Sequence, residues 1–374
     1  MEKRIHFLDQ MRSHMMLLGV VLHVSGSYTT LPAGELWPYK DLSTHGIFTV
    51  LAIFIHSFRM QVFFLVAGFF AAMLIGKNGN GAFLKNRSQR ILLPFLLFLL
   101  PICVSCFVLF RHGVYLMASR GIAVNMPTVW SLYHLWFLYY LYLYCLLAVP
   151  LCRVLRGVFS NPRQDVRIVS LLPWALAVAL AVIYLMAENY VLETPVGFNL
   201  IWSVFIQYGL FFATGVIGYQ CKDTFFTGFA SWWRWLLIAL VALILFVATA
   251  IHTAQTQPDN PQAVRWYGAM LLGVYTVALC WMLVALYQHY LNRFSRVGRY
   301  LSESSYWIYL VHLPMAIAIP MLMDQWPLTG WLKFMVALVA VFAIGVVTYH
   351  LLVRSTVLGV LLNGRRRPLL ARLQ

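Results

Sequence analysis

Ten long apolar runs follow one another along the chain, near residues 11–31, 46–75, 91–110, 132–152, 168–187, 200–219, 235–251, 267–290, 304–323 and 332–352. Stretches of about 20 apolar residues span a bilayer as helices. The pattern therefore predicts an all-α, polytopic membrane helix bundle with about ten transmembrane helices. The second run is long enough to tilt, or to continue as a helix beyond the hydrocarbon. The ninth is interrupted by Pro314 and Pro320, and prolines kink membrane helices. No cleavable signal precedes the first run, so it is expected to act as an uncleaved anchor. The chain divides into a transmembrane domain, 1–355, and a short basic tail, 356–374.

Composition agrees with the pattern. Of 374 residues, 62% are hydrophobic and 10% charged, and the mean hydropathy is +0.78. A soluble domain carries about a quarter charged residues. The net charge of +16 would suit nucleic acid, but the basic residues lie in short loops with no nucleic-acid-binding motif.

The placement of charge orients the bundle. Twenty-one of the 27 lysines and arginines fall at the N-terminus, in alternate loops and in the tail, including Arg12, Lys77, Arg87, Arg90, Arg153, Arg167, Arg234, Arg299 and Arg365–Arg367. The opposite loops hold Lys40, Arg111, Arg120, Arg265 and Lys333. The positive-inside rule then predicts that both termini are cytoplasmic. The loops around Glu188, Glu193 and Asp259 are mildly acidic and face outward. The tail arginines are read as topogenic charges or contacts to anionic lipid. The six cysteines, Cys103 and Cys106 among them, are read as small core residues, and no metal site or permanently bound cofactor is expected.

One charge remains: Arg59, inside the second run. A cation at bilayer depth is costly and faces the bundle interior, which makes it a candidate for function. Arg12 and His23 lie eleven residues apart on the first run, three turns plus about 20°, so they share one helix face about 16 Å apart along the axis. Asp9, one turn before Arg12, is placed to pair with it. His56 lies one turn before Arg59, and Arg59 falls at a depth comparable with His23. A basic mouth attracts phosphates, an imidazole deep in the bundle can take a proton from a hydroxyl, and a buried guanidinium can hold a carboxylate or an oxyanion. A phosphorylated acyl carrier such as coenzyme A fits these terms. A transporter of anionic metabolites would want the same cations.

Four motifs resemble the acyltransferase-3 membrane family. Phe7-Leu8-Asp9-Gln10-Met11-Arg12 followed by His23 is similar to its Arg-x10-His signature. His56-Ser57-Phe58-Arg59-Met60-Gln61-Val62-Phe63-Phe64-Leu65-Val66-Ala67-Gly68 resembles its second-span motif. His134-Leu135-Trp136-Phe137-Leu138 resembles the entry to its fourth span, and Ser305-Tyr306-Trp307-Ile308-Tyr309-Leu310-Val311-His312 its late Ser-x-x-Ile-Tyr-Leu-x-His element. The motifs occur in family order over essentially the whole chain. Gln61 and Ala67 stand where many acetyl-transferring relatives have proline and serine, which favours the branch that succinylates osmoregulated periplasmic glucans.

The resemblance implies a bacterial inner-membrane enzyme. It would move succinyl from cytoplasmic succinyl-CoA to hydroxyls of a periplasmic β-glucan, with acetyl-CoA and an O-antigen or exopolysaccharide as the alternative pair. Combined with the spacing, it gives each residue an expected role. His23 is the general base or an acyl-accepting group, and Arg59 holds the thioester oxyanion or the distal carboxylate. Arg12, Asp9 and Arg90 belong to the donor end. His134 and Trp136 belong to the acceptor end, with His56 and His312 in support. Trp37 and Trp130 are candidates for stacking on sugar rings. The remaining histidines, His14 included, are expected to have no role.

Overall fold

The computed structural model describes residues 5–34, 36–125, 131–155, 162–187, 194–227, 231–256 and 260–368. Lys3, Arg4, Trp130, Arg156, Glu188, Glu193, Asp259 and Arg372 lie outside the described residues. Helices carry the described chain: α1 His6–Ser25, α2 Gly46–Asn78, α3 Asn80–Arg87, α4 Leu93–Ala118, α5 Trp136–Leu155, α6 Pro162–Leu185, α7 Trp202–Gln220, α8 Lys222–Phe225, α9 Trp232–Gln255, α10 Pro261–Tyr290, α11 Arg296–Leu322, α12 Gly330–Thr348 and α13 Val357–Asn363. A π-helical turn, Ser88–Leu92, fuses α3 to α4, and another, Tyr349–Val353, follows α12.

The helix ends follow local chemistry. The His45 side chain accepts from the Ile47 N–H to start α2, Asn260 from Ala263 N–H to start α10 ahead of Pro261, and Ser295 from Gly298 N–H to start α11, each satisfying a donor that has no intrahelical partner. Gly79 ends α2 at φ +79°, where its N–H reaches the Ile75 carbonyl. Such a left-handed position favours glycine.

Nine helical segments among the described residues are long and apolar enough to cross a membrane: α2, α3 with α4, α5, α6, α7, α9, α10, α11 and α12 with its π turn. Nine of the ten predicted runs meet this measure of length and composition. The tenth candidate, α1, has 20 residues but carries His6, Asp9, Arg12, His14 and His23. Its setting explains how so polar a helix is accommodated, because α2, α10, α11 and α12 pack around it. At the other extreme, 11% of the apolar window of α9 is buried, against 72% for α2, so α9 turns most of its surface to lipid.

The α2–α7 crossing is the most intimate in the bundle. Gly68 of α2 lies against the Phe212 carbonyl and Gly215 of α7 against the Leu65 carbonyl, with no room for a Cβ at either. Small residues permit such close backbone approach in membrane helices. Valine at position 68 or 215 is expected to force the helices apart, at about 1–3 kcal/mol for an overpacked contact. Thermal unfolding in detergent checks this: a midpoint unchanged in both variants would rule out the crossing.

The first helix ends at Ser25, six residues before the predicted end of its run. Residues 26–34 and 36–45 then cross the end of the bundle opposite the basic mouth, held by a buried polar network. Lys333 Nζ pairs with Asp41 at 3.0 Å and donates to the Asp324 carbonyl at 3.1 Å. Asp324 also accepts from Tyr39 Oη at 2.6 Å and pairs with Arg120. Burial opposes ionisation of Asp324, but the bonds from Tyr39 and Arg120 outweigh it and hold the carboxyl below its usual range. Trp37 is fixed through Nε1–H to Ser27 Oγ at 3.0 Å. The network sets this segment as a lid over the last turn of α1, where His23 lies.

Candidate active site

Three cavities follow one another through the bundle. The first, of about 230 Å³, opens among Arg12, Arg87, Arg90 and Arg365, with Glu303 as the acidic member of its wall. The second, of about 100 Å³, holds His23, His56, Arg59, His134 and His312. The third, of about 390 Å³, lies under the lid among Trp37, Lys40, Tyr133 and Leu313. Met16 and Phe63 line both the first and the second; His23, His134 and Trp136 line both the second and the third. The central cavity is thus the junction between a basic chamber and a more apolar one.

The helices set this up by simple geometry. On α1, the face carrying Arg12 continues through Met16 to His23. Gly19 lies on that face, one turn before His23, and a Cβ there would fall on Arg59 Nη1. The missing side chain makes room for the guanidinium. Arg59 Nη2 donates to Met60 Sδ at 3.3 Å, while its Nε is buried without a hydrogen-bond partner. No carboxylate lines the central cavity among the described residues. A buried donor without a partner calls for an explanation, and here its surroundings leave it available to an anionic guest.

Three imidazoles form a row. The His23 and His312 ring centroids are 5.2 Å apart, and those of His312 and His134 4.9 Å. His312 Nδ1 is 2.6 Å from the Tyr309 carbonyl, which accepts only, so Nδ1 carries the hydrogen. Its Nε2 is buried and unpartnered, a lone pair in the neutral ring. His23 stacks on Trp37 at 5.9 Å and 17°. Its depth comes from the lid and not from a mid-helix position, because the ring sits in the final turn of α1. His56 lines the same cavity from the bundle surface, where its ring is exposed.

The donor-end candidates separate. Arg12 and Arg90 face the basic chamber, Arg12 over the Phe70 ring at 5.6 Å. Arg90 lies in the π turn, whose backbone is tied to α11 by Tyr306 Oη donating to the Arg90 carbonyl at 2.9 Å. Asp9 pairs with Arg12 at 3.6 Å but lines a separate small cleft beside Gln10 and Arg299. His134 and Trp136 are both buried. His134 sits in a 3₁₀ turn, Tyr133–Leu135, ahead of α5, and Trp136 stacks on Tyr208 at 5.8 Å; neither is an interfacial anchor. Trp37 is occupied by His23 on one face.

Sequence reasoning passed over Arg87, Glu303, Tyr309 and Arg365. Arg87 was visible as a loop charge and Tyr309 as part of a motif. Arg365 and Arg367, read from sequence as topogenic or lipid-facing, pair with Glu303 at 2.9 and 2.8 Å, and Arg365 walls the basic chamber. At the far end, Lys40 Nζ donates to the Gly26 carbonyl at 2.8 Å and to Thr29 Oγ1 at 2.6 Å, and burial pushes its ammonium down to about 8. Among the described residues no three His, Cys, Asp or Glu side chains are grouped as a metal would require.

The acyltransferase-3 family model, described as an acyltransferase domain, matches residues 5–350. Glucans biosynthesis protein C of Escherichia coli O81 (strain ED1a) and that of Escherichia coli K12 are each 25% identical to the chain over 394 residues, covering 97% of the chain and 95% of the relative. No solved structure matches the chain significantly.

Proposed function

The chain belongs to the acyltransferase-3 family of membrane acyltransferases, and from that premise we propose that it moves a succinyl group from cytoplasmic succinyl-CoA to hydroxyls of periplasmic glucans. The observation that carries the reading is the junction: His23 and Arg59 line the cavity that adjoins both the basic and the apolar chamber. In this reading the basic chamber faces the cytoplasm, in keeping with the positive-inside rule. Arg12, Arg87, Arg90 and Arg365 take the donor's phosphates, for which guanidinium groups are suited. The thioester enters the central cavity past Met16 and Phe63, and the glucan hydroxyl arrives from the chamber under the lid. His23 takes the hydroxyl proton as the oxygen attacks the acyl carbonyl. Arg59 holds the oxyanion; as the intermediate collapses, the C–S bond breaks, His23 returns its proton to the leaving sulfur, and the free thiol departs toward the basic chamber. The name of the relatives, glucans biosynthesis protein C, supports the choice of acceptor.

A second donor draws support from one feature. Arg59 is the one lysine or arginine among the described residues lining the central cavity. Succinyl-CoA brings a carboxylate as well as a thioester, whereas acetyl-CoA needs a single cation there. Deleting the gene in its host and weighing the periplasmic glucans separates the readings. Loss of succinyl mass and of one negative charge per substituent, restored by the wild-type gene, supports the first. Unchanged glucans with acetyl groups missing from surface polysaccharide would support the second. If neither polymer changes while uptake or efflux of an anionic metabolite does, the chain acts as a transporter.

A further inference from the structure

Proline inside a helix deprives the carbonyl four residues earlier of its N–H donor. Helix α11 runs unbroken from Arg296 to Leu322 through Pro314, so the orphaned carbonyl is that of Leu310. A buried carbonyl needs another partner, and this one has His134, whose Nε2 lies 3.2 Å away. The same turn of α11 holds His134 a second time, because Tyr309 Oη donates to the His134 carbonyl at 2.7 Å. Two adjacent residues of α11 therefore fix both the ring and the backbone of a residue 175 positions away in the chain.

The bond to Leu310 also decides the tautomer. A carbonyl only accepts, so Nε2 carries the hydrogen and Nδ1 of the neutral ring is a lone pair. That Nδ1 is buried and has no hydrogen-bond partner, while the ring lines both the central cavity and the chamber under the lid. An unpartnered acceptor on a ring that lines the path of a polyol toward His23 matches a sugar hydroxyl adjacent to the one that reacts.

We propose that Pro314 is a positioning residue for acceptor recognition: by leaving the Leu310 carbonyl free, it locks His134 with its Nδ1 lone pair available to a hydroxyl of the glycan. The acceptor role rests on the proposed function. The lock between Pro314 and His134 does not, and the two parts have separate readouts.

In Pro314→Ala the helix regains an N–H for Leu310, and His134 must share that carbonyl with it. Nitrogen chemical shifts of ¹⁵N-histidine-labelled protein in lipid bilayers should show the Nε2–H form of His134 in the wild type and a mixture of tautomers in Pro314→Ala. A single unchanged tautomer in the variant would overturn the lock. Kinetically, Pro314→Ala is expected to raise the KM for acceptor glucan about tenfold, the worth of one hydrogen bond, with the donor KM unchanged and the fold no less stable. His134→Gln keeps an N–H in reach of Leu310 but loses the Nδ1 lone pair, and it should give the same acceptor KM. The double variant should be no worse than either, as for residues acting as a unit. An acceptor KM unchanged in a folded Pro314→Ala, or effects that simply add, would overturn the acceptor role. A wild type that transfers acyl groups to no polyol under any donor would instead overturn the proposed function and leave the nitrogen shifts to decide the lock.

Discussion

Alanine at position 23 is expected to lower acyl transfer by about 10²–10⁴, the usual worth of a positioned general base, with the purified protein still folded and still binding coenzyme A. Several observations converge on this ring. It lines both the central cavity and the chamber under the lid, and it shares the first of these with Arg59. It lies in the last turn of α1, on the face that begins at Arg12, so in the proposed reaction donor and acceptor meet at its position. Removing it leaves Trp37 without the ring on which it stacks, yet Trp37 keeps its bond to Ser27, so the lid has an independent anchor. Transfer from radiolabelled acyl-CoA to glucan, measured beside coenzyme A binding, tests the expectation. His312 is the control that gives the experiment its edge, because its Nε2 is bare and its ring is 5.2 Å from that of His23. If His23→Ala retained the wild-type rate while His312→Ala lost it, the base would be His312. If both variants were active, the row of imidazoles would be a packing feature and proton transfer would lie elsewhere.

Much of this molecule is legible in one dimension, for reasons that also mark the limit. Membrane helices announce themselves because lipid demands an apolar surface over a whole span, which is why α2, α5 and α10 fall where the hydropathy runs predict. The reading fails first where that demand lapses. Helix α1 is wrapped by other helices and carries five charged or imidazole side chains, and its end at Ser25 is set by the polar lid that follows. The site is half legible for a related reason. Arg12, His23 and Arg59 could be brought together by counting turns, since two helices and one depth suffice. The pairing of His134 with Leu310, or of Arg365 with Glu303 across 62 positions, leaves no periodic trace. Pro314 was visible only as a possible kink; its consequence depends on which side chain stands beside Leu310.

Arginine 59 should show the opposite behaviour in activity and in stability. Arg59→Met is expected to cost about 10²–10³ in transfer rate, as for loss of an oxyanion-stabilising donor, and at the same time to raise the thermal midpoint. The Nε of its guanidinium is buried without a partner, and no carboxylate among the described residues lines the cavity it occupies. Desolvation of such a charge is not offset by a neutralising neighbour, so an apolar side chain of similar size relieves the fold. Lysine should not rescue activity, because a point charge does not reproduce the planar fork of guanidinium donors. Gly19→Ala supplies a test that leaves the charge in place: the added Cβ would fall on Nη1 and push the guanidinium from its seat. It should lower transfer in the same direction, and combining it with Arg59→Met should add little, since each removes the same contact. Rates and unfolding midpoints of the three variants decide the matter together. A stable Arg59→Met with near-wild-type transfer would remove Arg59 from the chemistry, whereas a variant that loses both activity and stability would make it a brace of the bundle.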